Sequence, residues 1–224
     1  MERKIITTLD GSTTIQLVDW GECYHSVNGA VQEALHVFIK NGLLQQSKRN
    51  VAILEIGFGT GLNAFVTYLE GDKNGFEIDY VGVEAYPVKE EEAFAMNYAD
   101  TLGKLEQEDV FKRMHQCSWE IQHKISDAFF LTKKQQFFQD INYSNQFDII
   151  YFDAFGYQYQ PELWSTEIFA KMFAALQEEG LLVTYAARGA VKRSLKEVGF
   201  SVVKMEGPPG KREMMVGFKK VNNF

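Results

Sequence analysis

From Val51 onward, short apolar runs alternate with stretches whose apolar residues recur at helical spacing. The runs cover residues 51–56, 80–83, 121–125, 147–152, 181–185, 200–205 and 214–218. Between them the pattern predicts helices near 61–70, 88–98, 104–114, 132–139, 165–176 and 189–198. Strand alternating with helix predicts a parallel sheet covered on both faces. The last two runs are exceptions. Only "EGPPGKRE" separates them, too short for a right-handed helical crossover, so they are expected to form an antiparallel hairpin. Upstream, "ITTLDGSTTIQL" predicts a β-hairpin turning at Asp10-Gly11, a pair suited to positive φ. Val31, Ala34, Leu35, Phe38 and Ile39 then give a helix that stops at Asn41-Gly42.

With 224 residues and 46% hydrophobic content, the chain can bury one sizeable core. The expectation is a single domain over 1–224, with the hairpin and helix of 1–45 packed on a 50–224 core. The net charge of -7 argues against a general nucleic-acid-binding field and confines any polyanion contact to a local basic patch. Cys23 and Cys117 form no C-x-x-C pair, and the four histidines show no ligand spacing, so no metal is expected. The start is too polar for a signal peptide and no segment is apolar enough to span a bilayer, which predicts a cytoplasmic protein with no membrane partner.

"ILEIGFGTGLN" places three glycines, Gly57, Gly59 and Gly61, between a strand and a helix. No lysine follows Gly61, so a phosphate-binding loop is excluded. Leu62 stands where the dinucleotide fingerprint needs its third glycine. The turn is preceded by Glu55, a poor companion for a pyrophosphate but compatible with S-adenosylmethionine, whose amino acid end and sulfonium are cationic. Glu84 ends the next strand, placed for a ribose diol. Asp127 follows the 121–125 run, where a carboxylate would accept from the adenine amino group. The plainer alternative is a packing turn flanked by solvated strand ends.

"ILEIGFGTGLN", "FDIIYFDAF" with "QPELW", "AARGAVKRSLKEVGF" and "GPPGKREMM" together resemble the MnmC-like tRNA methyltransferases. The resemblance takes in most of the chain, including "LDGSTTIQL" and "YHSVNGAVQEA". It implies a class I, Rossmann-like methyltransferase with a seven-stranded sheet whose last strand is antiparallel. It implies methyl transfer from S-adenosylmethionine to the 5-aminomethyl group of a tRNA wobble uridine. The cofactor set would be Glu55, Gly57, Gly59, Gly61, Asn63, Glu84 and Asp127, with Tyr24, His25 and Ser26 closing over it. Gly156-Tyr157 replaces the Ala-Pro of many members, and the flavin oxidase half of the fused enzymes is not in this sequence, so a separate oxidase is an expected partner.

Asp153 ends the fourth core strand, at the edge where open α/β sheets bind ligands. It is the candidate catalytic residue, either orienting an acceptor amine or accepting its proton; a loop-turn role is the plainer alternative. Asp148, at the other end of that strand, reads as structural. Tyr157 could stack an unpaired anticodon base, whereas Trp164 reads as core. Arg188, Lys192, Arg193, Lys211 and Arg212 are expected on the same rim, with Arg188, Lys211 and Arg212 as phosphate contacts. Rival readings are a polyamine aminopropyltransferase, a small-molecule amine methyltransferase, and a non-catalytic cofactor-binding partner of an oxidase.

Overall fold

A computed structural model describes residues 2–220. The N-terminal part forms a small antiparallel sheet of β1 (Arg3–Thr7), β2 (Thr13–Leu17) and β3 (Glu22–Cys23). The first two strands turn at Asp10-Gly11 as expected. Gly11 takes φ 85°, and Asp10 Oδ1 accepts from the Ser12 amide at 3.0 Å. α1 (Ala30–Ala34) follows and runs on as a π-helical stretch, Leu35–Lys40.

The core then alternates through β4 (Asn50–Ile56), α2 (Leu62–Asn74), β5 (Glu77–Glu84), α3 (Glu90–Phe94), α4 (Tyr98–Thr101) and α5 (Glu108–Gln116). β6 (Gln122–Ser126) and β7 (Phe129–Gln135) form a hairpin. β8 (Phe147–Phe152), α6 (Thr166–Ala175), β9 (Leu176–Thr184), α7 (Gly189–Glu197), β10 (Ser201–Glu206) and β11 (Glu213–Phe218) complete the described chain. The main sheet has the order β10-β11-β9-β8-β4-β5-β7-β6. β9, β8, β4, β5 and β7 are mutually parallel, and β11 is inserted antiparallel between β9 and β10, as the short final connection requires.

The sheet has eight strands rather than seven, and the difference lies at one edge. The 121–125 run is not a parallel core strand; it is β6, antiparallel to β7. The segment expected to be helical near 132–139 begins inside β7, which pairs in parallel with β5. Phe129, Leu131 and Lys133 point inward in strict alternation. The lysine at the third inward position hid that period. Its ammonium donates to the His115 carbonyl and lies 5.0 Å from the Trp119 ring centre, which satisfies it inside the protein.

Apolar layers flank the sheet. Ile149 and Tyr151 of β8 face the Phe38, Phe65 and Phe111 side, whereas Ile150 and Phe152 face Trp164, Phe169 and Met172. Trp164 is core as expected, 1% exposed, with its indole N–H donating to the Phe155 carbonyl at 2.8 Å. Asp148 is structural, accepting from the Ala52 amide at 2.8 Å and pairing with Lys48. The N-terminal layer is tied across the carboxyl edge of the sheet. The Thr13 amide donates to Asn97 Oδ1 at 2.7 Å, and the Asn97 side chain donates to the Gly11 carbonyl at 2.9 Å. That layer becomes one wall of the site.

Candidate active site

β4 ends at Ile56 and the chain turns through Gly57 at φ 92°, a conformation that L side chains rarely adopt. A Cβ at Gly57 would lie 2.5 Å from the Asp153 carbonyl oxygen. The glycine therefore lets the end of β4 press directly on the end of β8. The amides of Gly57 and Phe58 both donate to the Val83 carbonyl at 3.0 Å, tying β5 to the same point. Three strand ends thus converge beside a cavity of about 1220 Å³, large enough for a cofactor and part of a second substrate.

Gly57, Gly59, Asn63, Glu84 and Asp153 line this cavity. Glu84 is held between the turn and the loop after β5, accepting from the Gly59 amide at 3.1 Å and the Tyr86 amide at 2.9 Å. Asn63, in the first turn of α2, donates through Nδ2 to Asp153 Oδ2 at 2.8 Å and to Glu55 Oε1 at 2.9 Å. Its Oδ1 is buried without a partner among the described residues. An unpartnered acceptor on a side chain that lines the cavity suits an ammonium donor. With Glu84 beside it, the donor set fits S-adenosylmethionine, whose ribose diol and amino group need such acceptors.

Two expected cofactor contacts lie behind this wall. Glu55 is 0% exposed beneath the turn, its carboxyl pushed well above the usual range by burial. It braces Asn63 from below. Gly61 lies against His115, whose Nε2 would sit 2.8 Å from an added Cβ. Asp127 is a clear correction. It occupies the β6–β7 turn, at the amino end of the parallel strands, with its side chain 99% exposed and paired to Lys124 at 2.7 Å. Because β6 runs antiparallel, its end faces away from the cavity. Phe137 and Phe138, from the loop after β7, line the cavity instead.

Burial pushes the Asp153 carboxyl up to about 7, reinforced by Glu33 and opposed by the Asn63 hydrogen bond and by Lys211. The two roles expected of it, orienting or accepting, are both compatible with a carboxylate that titrates near neutrality. Six carboxyl side chains line the cavity, those of Glu22, Glu33, Glu84, Glu92, Asp153 and Glu162, against three cationic ones, Arg3, Lys89 and Lys211. The interior therefore favours cationic ligands. His25 supplies no further charge at neutral pH, since burial pushes it down to about 4.

The basic residues divide. Arg188 is exposed, 5.7 Å from the Tyr157 ring centre, and donates to Gln158 Oε1 at 2.9 Å. Arg193 and Arg212 are exposed and Lys192 is half-buried. Lys211 departs from the expected rim: its side chain turns into the cavity, pairs with Glu33 and lies 3.9 Å from the Tyr185 ring centre. Tyr157 is half-buried on the adjoining loop. Glu33 and Tyr185 were absent from the expected site. Glu33 shares a helix face with Ala30 and Val37, both fully buried, and an acid on such a face was the available signal.

A Rossmann-like sheet with a carboxylate-lined cavity at its carboxyl edge fits a protein that binds a cationic cofactor. Residues 88–220 match a family model described as S-adenosyl-L-methionine-dependent methyltransferase, and the chain belongs to that family. It is 32% identical over 93% of its length to the tRNA 5-methylaminomethyl-2-thiouridine biosynthesis bifunctional protein MnmC of Burkholderia thailandensis, covering 34% of that protein. The same-named protein of Burkholderia multivorans is 29% identical over 88% of this chain and 32% of its own length. The chain thus spans about a third of the curated relatives it matches. The crystal structure titled MNMC2 from Aquifex aeolicus superposes with a TM-score of 0.78 at 22% identity, over 98% of this chain and 70% of that one. That likeness supports the fold. Among the described residues, no helix is long and apolar enough to cross a membrane.

Proposed function

We propose that this protein methylates the amine of a 5-aminomethyl group on a tRNA wobble (2-thio)uridine, giving 5-methylaminomethyl. The similarity to the named MnmC proteins supports the substrate. The observation that carries the reading is Asp153, fixed by Asn63 at the glycine turn in a carboxylate-rich cavity. Bound S-adenosylmethionine supplies an electrophilic methyl on a sulfonium.

The remaining chemistry falls to the chain. An alkylamine of lysine-like pKa, about 10.4, is protonated at neutral pH and must lose a proton to react. Passing that proton to an ordinary aspartate would cost about 9 kcal/mol, at about 1.36 kcal/mol per pKa unit. Raising Asp153 to about 7 removes roughly 4 kcal/mol of that mismatch. Asp153 would orient the amine and take its proton, and Asn63 would keep the carboxylate aimed. The exposed Arg188 and Arg212 would contact phosphates of the anticodon region, with Tyr157 as a stacking platform. On this reading the enzyme works in the cytoplasm on a product of earlier modification steps, an oxidation among them.

The acidic cavity also suits a polyamine, so an aminopropyl transfer is the second reading; the methyltransferase family match favours methyl transfer. The test is incubation with S-adenosylmethionine and tRNA from cells lacking this gene, followed by nucleoside mass spectrometry. A gain of one methyl on 5-aminomethyl uridine is expected. Methylation confined to free amines, or aminopropylation of putrescine from decarboxylated S-adenosylmethionine, would overturn it.

A further inference from the structure

The Lys211 ammonium is the same chemical group as the proposed acceptor, a protonated primary amine on a methylene, and it lies inside the cavity. Lys211 comes from the 207–212 connection between β10 and β11, where its neighbours Pro209, Gly210 and Arg212 are exposed. Its side chain nevertheless turns inward and is only 30% exposed. Two groups receive it. Glu33 Oε1 pairs with it, while Glu33 Oε2 is fixed by the Ser26 amide at 3.0 Å. The Tyr185 ring lies beneath the ammonium at 3.9 Å from ring centre to Nζ, in cation–π geometry.

These partners are rigid where the lysine is not. Tyr185 is anchored through its hydroxyl to the carbonyl of Ala154, the residue after Asp153, at 2.8 Å. Glu33 belongs to α1 and is 7% exposed. Lys211 hangs from a turn by a flexible four-carbon stem and can leave without moving either of them. A fixed carboxylate and a fixed aromatic face, beside the catalytic carboxylate and filled by a movable ammonium, form a binding site with a resident.

We propose that Glu33 and the Tyr185 ring are the docking site for the acceptor's ammonium, and that Lys211 occupies it until the acceptor displaces it. This deepens the amine-acceptor reading and rests on it. The displaced lysine would swing toward the rim, where the exposed cations lie. A substrate amine held there would sit beside Asp153 before it loses its proton.

The test uses ethylammonium as probe, titrated into the full chain by NMR without RNA or methyl transfer. Lys211→Met empties the site and should tighten ethylammonium binding about tenfold, as expected if the lysine leaves it open about a tenth of the time. Lys211→Arg keeps a resident cation and should stay near the wild-type affinity. Glu33→Gln placed in the Lys211→Met background should reverse the gain. Unchanged or weaker binding in Lys211→Met would overturn the proposal, as would a gain that survives Glu33→Gln, which would put the cation on another carboxylate. Failure on tRNA with these probe results intact would sink the RNA substrate and leave the ammonium site standing.

Discussion

Asp153→Asn separates the charge of this carboxylate from its shape, because asparagine keeps an oxygen to accept the Asn63 amide. Two effects of opposite sign are expected. The first is catalytic. With its carboxyl raised to about 7, Asp153 should be only about one-tenth ionised near pH 6. The single-turnover methyl-transfer rate should therefore fall about tenfold between roughly pH 7.5 and pH 6. In Asp153→Asn the levelling above about pH 7 should vanish: the rate should be lower by about 10²–10⁴ near pH 7.5 and should climb about tenfold per pH unit, as an amine of pKa about 10.4 loses its proton to solvent instead. If Asn recovers most of the rate, Asp153 orients the amine rather than taking its proton.

The second effect is on stability, and its sign is fixed by linkage. A carboxyl whose folded pKa is raised from 3.8 to about 7 destabilises the fold as pH rises through that window. Below the unfolded value both states are protonated and the contribution vanishes. Above about pH 7 it levels at no more than about 4 kcal/mol, three pKa units at about 1.36 each, since one face of the side chain meets the cavity. Asparagine carries no such penalty. Asp153→Asn should thus be more stable than wild type at about pH 8, with a gain shrinking to roughly 1–2 kcal/mol near pH 5, measured by urea unfolding. Equal unfolding midpoints at about pH 8 would refute the desolvated carboxylate. A limb that still levels near pH 7 in Asp153→Asn would assign it to another group.

Glu84→Ala should weaken S-adenosylmethionine by about 1.5–3 kcal/mol, the range for hydrogen bonds to a charged group, and calorimetry would read it. Arg188→Ala with Arg212→Ala should weaken tRNA binding and flatten its salt dependence without changing cofactor affinity; an unchanged salt slope would make them merely solvated. Glu55→Gln should be nearly silent in stability at neutral pH, because burial already favours the uncharged carboxyl, whereas Glu55→Ala should lose about 1–3 kcal/mol by leaving the Asn63 amide short of an acceptor. Urea midpoints of the two variants distinguish these outcomes.

Features written in local chain geometry were legible in the sequence. The final connection was too short for a crossover, and β10 and β11 pair antiparallel accordingly. Glycine spacing located the turn, and Asp153 and Glu84 followed from where parallel strands must end. What failed depended on partners distant in sequence. The segment expected to be helical near 132–139 hid β7, because nothing local discloses the His115 carbonyl and Trp119 ring that receive Lys133. Once β7 was missed, β6 took its place, and Asp127 was assigned to the wrong edge. Glu55 was expected to face a ligand, yet it lies at the buried end of β4, where the Asn63 amide reaches it. Lys211 was read with its exposed neighbours, but its direction is set by Glu33, 178 residues away.

The division of charge bears on how an acidic protein could act on RNA. Cavity carboxylates repel phosphates, and at physiological salt that repulsion fades beyond about 8 Å. Arg188 and Arg212 are exposed and do not line the cavity, so they would carry a backbone outside it while a splayed wobble base reached inward. The aminomethyl group is the cationic part of such a nucleoside, and it alone would gain from entering a cavity with six carboxyl side chains. The same field would not favour a uridine carrying a carboxymethylaminomethyl group, whose carboxylate cancels the charge of its secondary ammonium and faces the cavity acids. Selection would then begin with charge, before any contact to the methyl donor. On this argument tRNA bearing the carboxymethylaminomethyl group should be bound no better than unmodified tRNA, and the aminomethyl form should be preferred to both in direct binding competition. Equal binding of all three would leave the carboxylates with no part in choosing the substrate.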